Sequence, residues 1–145
     1  MTERCVDASL VVKLALESET HSATARRLVR ESVAAGLRLI APAIFLSEVD
    51  SVIRRCASTG RLAPGDEELA FGILDRAPVG IVGHPRLRQR ARELAREFKQ
   101  HTVYDATYAA LAELRGCEFW TADRAFFETV KSRLTFVRYL PDYPG

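Results

Sequence analysis

Five short apolar runs, at residues 4–8, 37–41, 79–83, 117–121 and 135–139, alternate with longer stretches whose apolar residues recur every three or four positions. Each run is about one strand long, and most are apolar without polar alternation, the pattern of a strand buried on both faces. Strands separated by helices pair in parallel, because a parallel connection needs a crossover of about a dozen residues or more. The spacing therefore predicts an α/β chain: an α/β/α sandwich around a parallel central sheet of about five short strands. At 145 residues this is one domain, spanning 1–145, and it can bury roughly two-thirds of its extended surface.

The intervening segments read as helices over 10–16, 19–35, 43–59, 64–76, from 85 to about 100, over 103–115 and over 123–130, with an irregular tail. Gly36, Gly60 and Gly116 stand where C-caps belong. Thr102 with Asp105 resembles an N-terminal cap pair. The stretch between 59 and 76 reads as a helix pair whose Leu62, Leu69, Phe71 and Leu74 serve as core, dimer face or partner groove. Cys5, Cys56 and Cys117 form no close pair and no ligand cluster, so they read as buried free thiols of a reducing compartment. The first residues carry neither a signal peptide nor a membrane span, which predicts a cytoplasmic protein.

Four acids sit at the ends of apolar runs or in the first turns of helices: Asp7, Glu48, Asp105 and Asp123. Open α/β sheets bind ligands beyond the carboxyl ends of their strands. Asp7 and Asp123 belong at that edge, and the helix starts that carry Glu48 and Asp105 can reach it. Carboxylates gathered there repel one another and resist ionisation without a counter-ion. Mg²⁺ or Mn²⁺ accepts such hard oxygen ligands. Zinc is disfavoured, since His21, His84 and His101 lack ligand spacing and no Cys-His cluster exists. A divalent ion can acidify a water and direct it at a phosphodiester. Ser9 and Thr121, each two residues from a proposed ligand, are candidate hydrogen-bond supports for it. Asp50, two residues past Glu48, should face away on the same helix.

These residues carry a resemblance. Val6-Asp7-Ala8-Ser9, then Pro42 through Glu48 with Ile53-Arg54-Arg55, then Tyr104 through Ala112, and finally Trp120 through Phe126 resemble, in order and in register, the four acidic motifs of the PIN-domain family. The chain's size is similar to that of stand-alone VapC toxins of toxin–antitoxin pairs. The resemblance implies a PIN-like fold and a metal-dependent endoribonuclease with Asp7, Glu48, Asp105 and Asp123 as its acidic pocket and Mg²⁺ or Mn²⁺ as cofactor. It further implies a homodimer neutralised by a VapB-type antitoxin, with operator DNA bound only through that antitoxin and no membrane association.

Composition adds little, because a net charge of +2 selects no partner. The bases are 18 Arg against 3 Lys, which suits bidentate phosphate contact. Arg54, Arg55 and Arg124, beside the acidic motifs, are candidate contacts to RNA phosphates or to an antitoxin's acidic tail. Arg88, Arg92, Arg96 and Lys99 can form an outward basic stripe that holds RNA backbone, or a solvated face with i,i+4 pairing. The alternative to a nuclease is a non-catalytic RNA- or protein-binding module on the same fold. A receiver-type phosphate domain fits poorly, lacking the paired early acids and the late lysine.

Overall fold

The computed structural model describes residues 2–145. In chain order the elements are β1 (Glu3–Val6), α1 (Ala8–Val11) continued by a 3-10 turn at Val12–Leu14, α2 (Ser22–Ala34), β2 (Arg38–Ala41), α3 (Ile44–Ser58), α4 (Pro64–Asp75), β3 (Val79–Ile81), α5 (Leu87–Glu97), α6 (Tyr104–Arg115), β4 (Glu118–Thr121), α7 (Arg124–Val130) and β5 (Val137–Tyr139), closed by a 3-10 turn at Leu140–Asp142. The five strands form one sheet in the order β3-β2-β1-β4-β5, and every pairing is parallel. This is the expected α/β/α sandwich around a short parallel sheet.

The central strands are buried because both faces are covered. Cys5, Val6, Ile40, Ala41 and Phe119 are fully inaccessible, and Leu39 and Trp120 nearly so. Helix α6 packs on β1 and β4 on one side and on α5 on another, and its Ala106, Ala109, Ala110 and Ala112 are all buried. Small side chains let its backbone approach the sheet closely. Tyr108, on the same helix, stacks on Phe119 with ring centroids 5.7 Å apart. The three cysteines are free and buried, as expected.

Two local expectations need correction. Thr102 is not a cap: α6 begins after Val103, and no side chain caps its first turn. The hydroxyl of Thr102 is exposed, and Asp105 turns toward other acids instead. The stretch 59–76 is also one helix rather than two, since residues 60–63 form only the connection from α3 and Pro64 takes the first helical position, where its missing N–H costs nothing. Leu69 on that helix is 66% exposed, so it is not core.

The strand order decides where a site can form. The chain lays β2 and then β3 to one side of β1, then crosses to lay β4 and β5 on the other. Connections leaving the carboxyl ends of β1 and β4 diverge, opening a crevice between them. Asp7 immediately follows β1, and Thr121 ends β4 two residues before Asp123.

Candidate active site

Asp7 and Asp123 are placed by the same local rule. Each follows a strand, takes an extended conformation and N-caps the next helix: Asp7 accepts from the Leu10 N–H at 3.1 Å, and Asp123 from the Phe126 N–H at 3.0 Å. A cap explains an aspartate at a strand end, but it does not explain burial. Asp7 is 2% exposed.

Two hydroxyls tie the ends of β1 and β4 together around it. The Ser9 hydroxyl donates to Asp7 Oδ1 at 2.7 Å and accepts from the Ala122 N–H at 3.1 Å. Thr121, fully buried, donates to Asp7 Oδ2 and accepts from the Asp123 N–H at 3.0 Å. Each hydroxyl uses its single proton on the carboxylate and a lone pair on a backbone N–H. Each thereby makes one of its two bonds across the crevice, Ser9 to Ala122 and Thr121 to Asp7. The result is a closed network that holds Asp7 in one orientation.

Glu48 and Asp105 come from helices. Glu48 lies one turn into α3, half-buried, and accepts a hydrogen bond from the Tyr108 hydroxyl. Asp105 is the second residue of α6. Asp7, Glu48, Asp105 and Asp123 all line one cleft of about 510 Å³, together with Ser9, Ser51, Arg55, Tyr104 and Tyr108. Of the candidate arginines, Arg55 lies in this lining. Arg54 instead pairs with Glu67, and Arg124 is exposed outside the cleft. Asp50 is likewise exposed and outside it.

Ser51 and Val52 join the cleft unforeseen, beside Arg55, which the sequence had marked as a candidate contact. Ser51, Val52 and Arg55 follow Glu48 at i+3, i+4 and i+7, one face of α3. That spacing was available as a signal. Tyr108, in contrast, looks like plain core in an alanine-rich helix, and only the fold reveals Glu48 beside its hydroxyl.

The electrostatics match a crowded acidic cleft. Burial raises Asp7 to about 7, against the opposing hydrogen bonds from Thr121 and Ser9 and with further repulsion from Asp105. Burial also raises Asp105 to about 6, with repulsion from Asp123 and Glu48 adding to it. The Tyr108 phenol is pushed far above its ordinary range, first by burial and then by its bond to Glu48. It is therefore a permanent donor.

A divalent cation fits this donor set: oxygen-only acids, mutually repelling, with Arg55 the one basic side chain in the lining. Among the described residues no three acid, histidine or cysteine side chains stand close enough to hold one ion as placed. Asp7, Glu48 and Asp123 each accept a hydrogen bond from a separate donor. A larger cleft of about 610 Å³ lies along β5, and most of its charged side chains have partners nearby. Arg4 and Arg138 both pair with Glu118, and Tyr143 donates to Glu31.

Comparison with known proteins agrees with this geometry. A family model described as the PIN domain matches residues 4–132. VapC ribonuclease Mb0985 of Mycobacterium bovis and ribonuclease VapC9 of Mycobacterium tuberculosis are each 33% identical over 124 residues, covering 86% of this chain and 88% of the relative. Among solved structures, PAE2754 from Pyrobaculum aerophilum matches with a TM-score of 0.68 at 23% identity, over 97% of this chain and 92% of that one. The sarcin-ricin loop cleaving toxin VapC20 of Mycobacterium tuberculosis matches with a TM-score of 0.60 at 21% identity, over 86% and 93%. At those identities the two structures show a shared fold.

Proposed function

The chain belongs to the PIN-domain family, with VapC-type ribonucleases among its relatives, and from that premise we propose that it is a Mg²⁺- or Mn²⁺-dependent endoribonuclease and the toxin of a toxin–antitoxin pair. One observation carries the reading: Asp7, Glu48, Asp105 and Asp123 line a single cleft at the switch between β1 and β4.

Asp7, Glu48, Asp105 and Asp123 would hold the ion. When bound, it supplies charge neutralisation at a phosphodiester and acidifies a water for hydrolysis. The protein's own part is orientation. Ser9 and Thr121 lock Asp7 while the Tyr108 hydroxyl holds Glu48, so two of the acids are fixed by neighbours rather than by solvent. Asp105, raised to about 6, is ionised at neutral pH and can take up a proton in a modestly acidic setting. Arg55, at the mouth, is positioned to grip a phosphate next to the scissile one. Tyr104, 48% exposed in the lining, offers a ring face to an unstacked base.

The same reading takes RNA as substrate, a VapB-type antitoxin as inhibitor and a homodimer as the working form. Operator DNA would be contacted only through the antitoxin, and the cytoplasm is the expected setting. No helix among the described residues is long and apolar enough to cross a membrane.

The test is cleavage of a labelled RNA by the purified protein. Mn²⁺ should support it, EDTA should stop it, and Asp7→Asn or Asp105→Asn should slow it by at least about 100-fold with circular dichroism unchanged. Full activity in both variants would sink the assignment.

A further inference from the structure

Helix α5 carries a row of cations that the acidic cleft does not explain. Successive helical residues turn by roughly 100°, so Arg88, Arg92 and Arg96 fall within about 80° of one another and span about 12 Å along the axis, with Lys99 just beyond the helix end. All four are exposed. Among the described residues none of them forms an ion pair, although acids are at hand on the same helix. Glu93 pairs with Arg90, and Glu97 with Arg133. Like charges one turn apart repel, so the row costs helix stability, of which the dipole at the carboxyl end of α5, beside Arg96 and Lys99, returns only a part.

The end of α5 shows a second cost in the same direction. Four helices close with the same pair of hydrogen bonds, a C″ N–H to the C3 carbonyl and a C′ N–H to the C2 carbonyl: α2 at 36–37, α3 at 60–61, α5 at 99–100 and α6 at 116–117. The left-handed C′ residue is Gly36 (φ 77°), Gly60 (φ 78°) and Gly116 (φ 68°) in three of them. In α5 it is Lys99 (φ 53°). A residue with a β-carbon is strained there, and this position instead adds a charge to the row.

Direction gives the row its meaning. The α5 residue Arg90 binds Glu113 of α6, so the start of α5 lies against the end of α6 and the two helices run antiparallel. Lys99 therefore sits at the end of α5 nearest the start of α6, where Tyr104 and Asp105 enter the acidic cleft.

We propose that Arg88, Arg92, Arg96 and Lys99 form a track for the sugar-phosphate backbone of single-stranded RNA, leading it along α5 to the acidic cleft. The proposal rests on RNA being the substrate. Backbone phosphates satisfy a row of arginines without sequence preference, and the released counter-ions make the binding salt-dependent. The track would hold the strand while the cleft acts on it.

Binding of a fluorescent unstructured oligoribonucleotide of about 20 residues, followed by anisotropy in EDTA from about 50 to 200 mM salt, tests the track apart from cleavage. The variant Arg88→Gln/Arg92→Gln/Arg96→Gln should bind at least about tenfold more weakly at the low-salt end, with a salt slope lower by about 2, since each single-strand contact contributes roughly 0.7. An unchanged affinity and slope overturns the track and leaves the nuclease reading intact. Absence of cleavage in the wild type would overturn that reading instead, without touching this measurement. Lys99→Gly should raise the melting midpoint by about 2 °C while weakening RNA binding. A stabilised variant with undiminished affinity removes Lys99 from the track. Displacement of the RNA by poly-glutamate at equal charge concentration would overturn the RNA assignment in favour of an acidic protein partner.

Discussion

Asp7 is the most buried acid in the cleft, and its ionisation is the most heavily penalised. Its carboxyl is raised to about 7 from an ordinary 3.8, mainly by burial. Below about pH 4 the folded and unfolded states both carry its proton, so it makes no difference to stability. Between about pH 4 and 7 the unfolded chain loses the proton and the folded chain keeps it, so stability falls as pH rises. Above about 7 both are ionised and the whole penalty, on the order of 4 kcal/mol, persists. Asp105, raised to about 6, acts in the same direction. In EDTA these two acids should therefore contribute a drop of roughly 10 °C in the melting midpoint between about pH 4 and pH 7.5. It is set against the opposite pull of Glu3 and Glu128, whose carboxyls Arg115 and Lys131 hold low. Asp7→Asn should flatten that drop and melt higher at pH 7.5; parallel curves for the two proteins would refute the origin assigned to it. The position of all four acids was legible in the sequence, because a charge at the end of an apolar run is conspicuous, and so were Ser9 and Thr121 by their spacing. The bond from Tyr108 to Glu48 was not, since it joins residues 60 apart in the chain on different helices.

Helix α6 is the element on which the cleft depends most. Ala109 and Ala110 are fully buried, and the same helix delivers Tyr104, Asp105 and Tyr108 to the cleft at i, i+1 and i+4. Interiors at this density have no room for added methylenes. Ala110→Leu should cost about 1–3 kcal/mol, read as a lower midpoint in urea, and should reduce RNA cleavage more than unfolding accounts for, because displacing α6 moves Asp105. Undiminished stability would mean that the helix does not pack as described. Helix positions were readable from periodicity to within a few residues. Strand ends were harder: 135–139 shortens to Val137–Tyr139, because strand length is set by the neighbour it pairs with. The misplaced cap at Thr102 has a similar cause. Its sequence suits a cap, but Asp105 is held by the acids it faces and not by its own helix start.

At the scale of the molecule, the proposed function rests on strand order. The sequence shows five strands and seven helical segments, but not that β4 crosses back to lie beside β1. That crossing brings Asp123 to Asp7 and opens the crevice that α3 and α6 complete. The same fold carries an acidic cleft and, on α5, a separate row of exposed cations. Net charge, only +2, conceals this separation. The central claim is that the four carboxylates form one divalent-ion site. Electron paramagnetic resonance of free Mn²⁺, titrated into metal-free wild-type protein and into Asp105→Asn, measures it most directly. The account predicts saturable binding of about one or two ions per chain in the wild type and an affinity at least about tenfold lower in the variant. Identical binding curves for the two proteins would contradict it.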